Sequence, residues 1–151
     1  MTCQAKTENS QATEDLAARL GQRLRGGEVI ELVSDLGGGK TTFTRGLAKG
    51  FGSDDHVASP TFTVSKVYKA GKKEFHHFDF YRLAEPGIMA HELQDLVGDP
   101  EIVVVVEWGE AVQHVLPADR LAVRLERSGE DSREITFDAP ENLAYLLEGL
   151  C

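Results

Sequence analysis

The sequence predicts an α/β fold in which a sheet with a parallel core and antiparallel hairpins is flanked by helices. Three observations carry that prediction. The run Val29-Ile30-Glu31-Leu32-Val33 reads as a short buried strand that leads through a glycine-rich turn into a helical stretch from Phe43 to Lys49. Ile102 through Val106 is a continuous β-branched run, the kind found in central parallel strands covered on both faces. Two pairs of alternating segments are separated by turn residues, which is the signature of hairpins.

The elements follow in order. Residues 1–11 are polar and are expected to be disordered or loosely attached. Thr13 reads as an N-cap with Glu14 and Asp15 in the first turn, and Leu16, Leu20 and Leu24 recur at helical spacing. Gly26-Gly27 stops that helix before the first strand, and Gly50 stops the helix after the turn. Phe51 to Asp55 is a polar break. Phe62 to Tyr68 alternates, Lys69 to Lys72 turns, and Lys73 to Tyr81 pairs back. Glu85 to Val97 is mostly helical in pattern. Leu116-Pro117 breaks the chain after the valine run. Leu121, Val123 and Leu125 then alternate, Ser128 to Asp131 turns, and Arg133 to Phe137 returns. Asn142 to Leu150 closes as a short helix. No repeat, low-complexity tract or linker divides the chain, so residues 1–151 read as one domain.

Bulk properties exclude several classes. An apolar fraction of 41% and a charged fraction of 27% are those of an ordinary globular protein. No apolar run approaches the ~20 residues that span a bilayer. The first residues lack the apolar core of a signal peptide, so a cytoplasmic location is expected and no membrane partner. The net charge of −9 leaves little long-range attraction for nucleic acid, and a protein partner is expected over direct RNA binding. Lys66, Lys69, Lys72 and Lys73 crowd one hairpin and read as a solvated edge rather than a basic patch. Cys3 and Cys151 lie at opposite ends without metal-ligand spacing; both are expected to be reduced and without a role.

The chemistry concentrates in Ser34-Asp35-Leu36-Gly37-Gly38-Gly39-Lys40-Thr41-Thr42, which reads as a phosphate-binding loop between strand and helix. Three consecutive glycines let backbone N–H groups curl around an anion without Cβ clashes. The helix start behind them adds partial positive charge. Asp35 through Thr42 are thus the expected nucleotide contacts. Lys40 reaches the outer phosphates and the Thr41 hydroxyl sits on Mg²⁺. The motif usually opens with glycine, where this chain has Ser34; that position ends the strand, so serine is expected to be tolerated.

A triphosphate site also needs a carboxylate for Mg²⁺ at the end of a neighbouring buried strand. Glu107, directly after the valine run, stands there, in a metal-linked role or simply as the first polar residue after a strand. Trp108 follows it and either packs over the nucleotide or caps the core. In His77-Phe78-Asp79-Phe80-Tyr81-Arg82, strand periodicity puts His77, Asp79 and Tyr81 on one face and the phenylalanines on the other. Asp79 could position Mg²⁺ or the attacking water and Arg82 could meet phosphate or a partner; the alternative is an ordinary half-exposed sheet face. Thr61, beside Pro60, is a candidate nucleotide-sensing residue. His56, His76, His91 and His114 have no metal-ligand spacing and read as structural or surface residues.

Taken in order, Asp35 to Phe43, Ser59-Pro60-Thr61-Phe62-Thr63, His77 to Leu83 and Val106-Glu107-Trp108 resemble the TsaE (YjeE) family, small bacterial ATPases of tRNA threonylcarbamoyladenosine biosynthesis. The resemblance runs from Thr13 to about Phe137. It implies a P-loop NTPase-like fold and ATP hydrolysis with ATP and Mg²⁺ as cofactors. The implied partners are a threonylcarbamoyl transferase subunit and its non-catalytic paralogue, of the TsaD and TsaB type, which would handle the tRNA. The complex modifies the adenosine beside the anticodon in tRNAs reading codons that begin with A, and the ATP cycle resets the transferase between turnovers. Carried over by position, Lys40 holds phosphates, Thr41 and Glu107 hold Mg²⁺, and Asp79 serves hydrolysis or metal positioning. Trp108 lies near the site, and Arg133 contacts the nucleotide from the far strand pair. Two positions vary from the family's habit: serine at 34 for glycine, and glycine at 38 where alanine is frequent.

Other readings compete. A small-molecule kinase would share the loop but would bring an arginine-rich lid, and Glu85 to Pro100 contains no arginine. A GTPase needs N-K-x-D, and neither Asn9 nor Asn142 is followed by lysine. A nucleotide-dependent switch that binds a partner without hydrolysis remains the main rival. Weak activity alone and stimulation by partners are expected, because the chain offers few charge stabilisers beyond Lys40 and Arg82.

Overall fold

The computed structural model describes residues 1–35, 37–58, 65–81 and 87–151. Its described strands are β1 (Thr2–Thr7), β2 (Val29–Val33), β3 (Ser65–Ala70), β4 (Lys73–Asp79), β5 (Ile102–Glu107), β6 (Leu121–Arg127) and β7 (Arg133–Asp138). They form one sheet in the order β1-β7-β6-β2-β5-β4-β3. Strands β6, β2, β5 and β4 run parallel, whereas β1, β7 and β3 join antiparallel at the two sides. The predicted fold class is the observed one. Helices α1 (Ser10–Gly21), α2 (Lys40–Phe51) and α3 (Ile88–Leu96), with two short 3₁₀ segments at Gly109–Val112 and Glu141–Leu146, cover it.

Alternation along the central strands divides the core. Ile30, Leu32, Val103, Val105, Val123 and Leu125 face α1 and α2, in a layer with Leu20, Phe43 and Leu47. Val29, Val104, Val106 and Phe78 face the other way, toward Leu93 of α3 and Val112 of the first 3₁₀ segment. Each fully buried leucine, valine or phenylalanine here contributes about 1.5–3 kcal/mol relative to exposure. Helices α1 and α2 touch backbone to backbone. A Cβ on Gly21 would stand 2.3 Å from the Leu47 carbonyl oxygen, and one on Gly50 would stand 2.1 Å from that of Ala18. Gly50 is therefore a contact inside α2 and not its stop; Gly52, at φ 111°, ends the helix instead.

The N-terminal expectation is overturned. Residues 2–7 form the outer strand β1, paired with β7 from Thr2↔Asp138 to Thr7↔Arg133. Asn9, not Thr13, caps α1, its side chain accepting from the Ala12 N–H at 2.8 Å. Thr13 is buried one turn further on, its hydroxyl 2.6 Å from that of Thr7. The cysteines are not free either: Cys3 and Cys151 form a disulfide. The pairing of β1 with β7 carries Cys3 back to the far end of the chain, which sequence distance conceals. The closing segment is 3₁₀ over Glu141–Leu146 rather than a helix from 142 to 150. In the lysine-rich hairpin Lys69 pairs with Glu74, and the Lys73 ammonium donates to the Arg25 carbonyl.

Candidate nucleotide site

Strand β2 is central in the sheet, and the turn that follows it sits at the carboxyl ends of the parallel strands, where α/β sheets bind ligands. Gly37 and Gly39 adopt φ of 77° and 99°, a region that side chains resist, so the turn needs glycine at both. The Lys40 side chain folds back along the loop: its ammonium donates to the carbonyls of Ser34 at 3.3 Å and Asp35 at 3.1 Å. The Gly38 N–H closes the same turn on the Asp35 carbonyl at 3.1 Å. Thr41 and Thr42 open α2, both partly buried. Leu36, Ser59 to Val64, and Arg82 to Pro86 lie outside the described residues, so the expectations for Leu36, Thr61 and Arg82 concern residues not described here.

The carboxylates come next. Asp79 and Glu107 are register partners on adjacent parallel strands, at the ends that face the loop. Glu107 is 2% exposed, and its Oε2 is hydrogen-bonded to Nε2 of the fully buried His77. His77 thus lies on the face expected from periodicity, and that face runs from a fully buried His77 through a half-buried Asp79 to an exposed Tyr81. Phe78 and Phe80 point oppositely, stacked with centroids 5.9 Å apart. The Asp79 carboxylate accepts from the Tyr81 N–H at 3.0 Å. Burial pushes its carboxyl above the ordinary aspartate range, and Glu107 adds to the rise; the Tyr81 N–H, His77 and Lys40 offset part of it. Of the remaining histidines, His76 is buried and bonded to Glu74 at 3.0 Å, whereas His56, His91 and His114 are exposed.

Trp108 leaves β5 in a left-handed conformation, φ 56° and ψ 51°, which is costly for a bulky residue by about 1–3 kcal/mol. That turn brings its ring beneath the Lys40 ammonium, 4.7 Å from the centroid, and against the Tyr81 ring at 4.8 Å. Trp108 packs on the α3-side core, as the core-capping alternative expects, and its ring also borders the loop. A cavity of about 460 Å³ opens beside it, bounded by Ser34, Asp35, Gly38, Trp108, Arg124 and Arg127. Arg133, on β7, approaches from behind: its Nε donates to the Gly38 carbonyl at 3.0 Å and its terminal nitrogen to the Gly37 carbonyl at 3.3 Å. Arg124 and Arg127, which border the cavity, escape sequence reasoning because they look like the outward residues of an ordinary strand.

A parallel-cored sheet whose central strand feeds a glycine turn and a lysine-headed helix defines an α/β protein of the P-loop type. The sequence profile of the family described as "Threonylcarbamoyl adenosine biosynthesis protein TsaE" matches residues 7–135. The chain belongs to the TsaE family. It is 39% identical over 146 residues to "tRNA threonylcarbamoyladenosine biosynthesis protein TsaE" of Bacillus subtilis strain 168, covering 94% of this chain and 89% of that one. The protein of the same name from Streptomyces coelicolor is 39% identical over 125 residues, covering 80% and 82%. The fold also superimposes on the crystal structure of Bacillus subtilis YdiB with a TM-score of 0.78 at 33% identity, covering 99% of this chain and 94% of that one.

Proposed function

We propose that the chain works in tRNA threonylcarbamoyladenosine biosynthesis as a P-loop ATPase that binds Mg·ATP and hydrolyses it slowly, with stimulation by transferase partners. The tRNA role rests on family membership. The observation that carries the ATPase reading is the convergence of Lys40, Trp108 and the register pair Asp79–Glu107 around one glycine loop.

The residues fit a triphosphate and its metal. Nothing stands within 4 Å of where a Cβ on Gly37 would be, leaving the loop rim open to phosphate. Among the described residues no three His, Cys, Asp or Glu side chains gather as a metal cage. Magnesium does not need one, because it is held by one or two protein oxygens, water and phosphate. Thr41 and Glu107 would hold it, and the chemistry it supplies when bound is neutralisation of phosphate charge.

The chain's own groups do the rest. Lys40 exchanges its loop carbonyls for phosphate oxygens, the N–H groups of the loop orient the β-phosphate, and Asp79 orients the attacking water. His77 fixes the Glu107 carboxylate. Because the raised Asp79 carboxyl holds its proton to a higher pH than a free aspartate, the group is suited to accept a proton from that water. The transferase subunit and its paralogue, of the TsaD and TsaB type, would contact the tRNA. No described helix is long and apolar enough to cross a membrane.

ATP hydrolysis by the purified protein, alone and with those partners, tests the reading beside Lys40→Ala and Asp79→Ala. Partner-stimulated turnover that is lost in both variants, with Asp79→Ala still binding ATP, is the expected result. Nucleotide binding with no turnover in any mixture overturns the hydrolase and leaves a binding switch.

A further inference from the structure

Glu31 lies in the middle of β2, where a strand buried on both faces has no use for a charge, yet it is 8% exposed. Its two oxygens are both engaged. Oε1 accepts from Arg120 Nε at 3.0 Å and Oε2 from Gln113 Nε2 at 2.7 Å. Gln113 closes the triangle by accepting from an Arg120 terminal nitrogen at 3.0 Å. The same Gln113 amide also donates to the Gly109 carbonyl at 3.1 Å. Gly109 itself is pressed onto the carboxylate: a Cβ there would stand 2.8 Å from Glu31 Oε2.

Gly109 is the residue after Trp108, whose backbone is the one non-glycine with positive φ among the described residues. A strained backbone persists only where its surroundings over-determine it. We infer that Glu31 is a positioning residue of the site: through Gln113 and the Gly109 peptide it fixes the turn that sets the Trp108 ring against the Lys40 ammonium. A residue of the sheet interior thereby governs a wall of the loop without touching it. The spectroscopic half of this inference stands on geometry alone, and the affinity half rests on the nucleotide reading above.

The chain holds a single tryptophan, so its fluorescence reports this turn directly. In the full-length protein, Gln113→Leu removes the link while leaving the Glu31–Arg120 pair, and Glu31→Gln keeps the shape and removes the charge. Both are expected to shift the Trp108 emission to the red and to raise quenching by iodide about twofold without added ligand. Mg·ATP affinity is expected to weaken about fivefold, the equivalent of roughly one hydrogen bond. Gln113→Met, which fills the same space without donating to Gly109, should behave like Gln113→Leu. Folded variants with wild-type emission and quenching overturn the inference. A moved Trp108 with unchanged Mg·ATP affinity overturns its role in the site. If wild type binds no nucleotide, the functional reading falls and emission with quenching still decides the positioning.

Discussion

The hydroxyl oxygen of Ser34 lies 1.8 Å from where a Cβ on residue 38 would stand, and the Ser34 Cβ lies 2.9 Å from it. Rotating the hydroxyl relieves the first contact and not the second. Serine at 34 and glycine at 38 are therefore coupled, because the Ser34 side chain fills the space that a side chain at 38 would need. Gly38→Ala alone is expected to cost about 1–3 kcal/mol by overpacking and to weaken Mg·ATP binding. Adding Ser34→Gly should recover most of both, a non-additivity that a double-mutant cycle in urea and by ATP titration measures directly.

Arg133 defines a second prediction. Its guanidinium holds the Gly37 and Gly38 carbonyls together and so fixes the peptides of the glycine turn. Arg133→Ala should weaken Mg·ATP binding about tenfold, as the loss of hydrogen bonds to a charged group implies. Arg133→Lys should not restore it, since an ammonium cannot fork between two carbonyls. Equal affinity for the lysine variant and wild type would assign Arg133 a purely coulombic part.

The cysteine pair has a thermodynamic signature. A crosslink across 148 residues restricts the unfolded chain, and losing it is expected to cost about 2–4 kcal/mol. Reductant should lower the unfolding free energy of the wild type by that amount, seen as a lower urea midpoint. Cys3→Ser should show the lower midpoint at once and no further response to reductant.

Alkaline stability follows from Tyr145. Its hydroxyl donates to Glu28 Oε2 at 2.6 Å, and burial together with Glu28 raises its pKa well above the ordinary tyrosine value of 10.0. The unfolded phenol loses its proton first, so above pH 10 the native state binds more protons and stability falls as pH rises. Below that pH the contribution is fully present. Tyr145→Phe should therefore lose about 1 kcal/mol at pH 8 and decline less steeply above pH 10, followed by thermal melting.

What could be read beforehand divides by the range of the interaction. The glycine loop, the valine strand and the order of Asp79 and Glu107 are local patterns, and they stand where periodicity put them. Strand β1 was illegible because its outward residues are Thr2, Gln4 and Lys6 and its inward ones Cys3, Ala5 and Thr7, too small and polar to signal burial. His77 was on the expected face, but its burial against Tyr68 and its bond to Glu107 depend on tertiary packing. Nothing local gives Glu31 a role; its partners lie 82 and 89 residues away, beyond any window of periodicity.

The bond between Cys3 and Cys151 closes every residue from 3 to 151 into a covalent ring. Tension applied between residues 3 and 151 runs through sulfur, and the pairing of residues 4–7 with β7 carries none of it. A motor that pulls the protein by one end cannot peel away its outer strand while the ring holds; it must draw a doubled chain or wait for a thiol to open the loop. Resistance to mechanical unravelling and part of the thermodynamic stability are in this way placed under the control of the same two sulfur atoms.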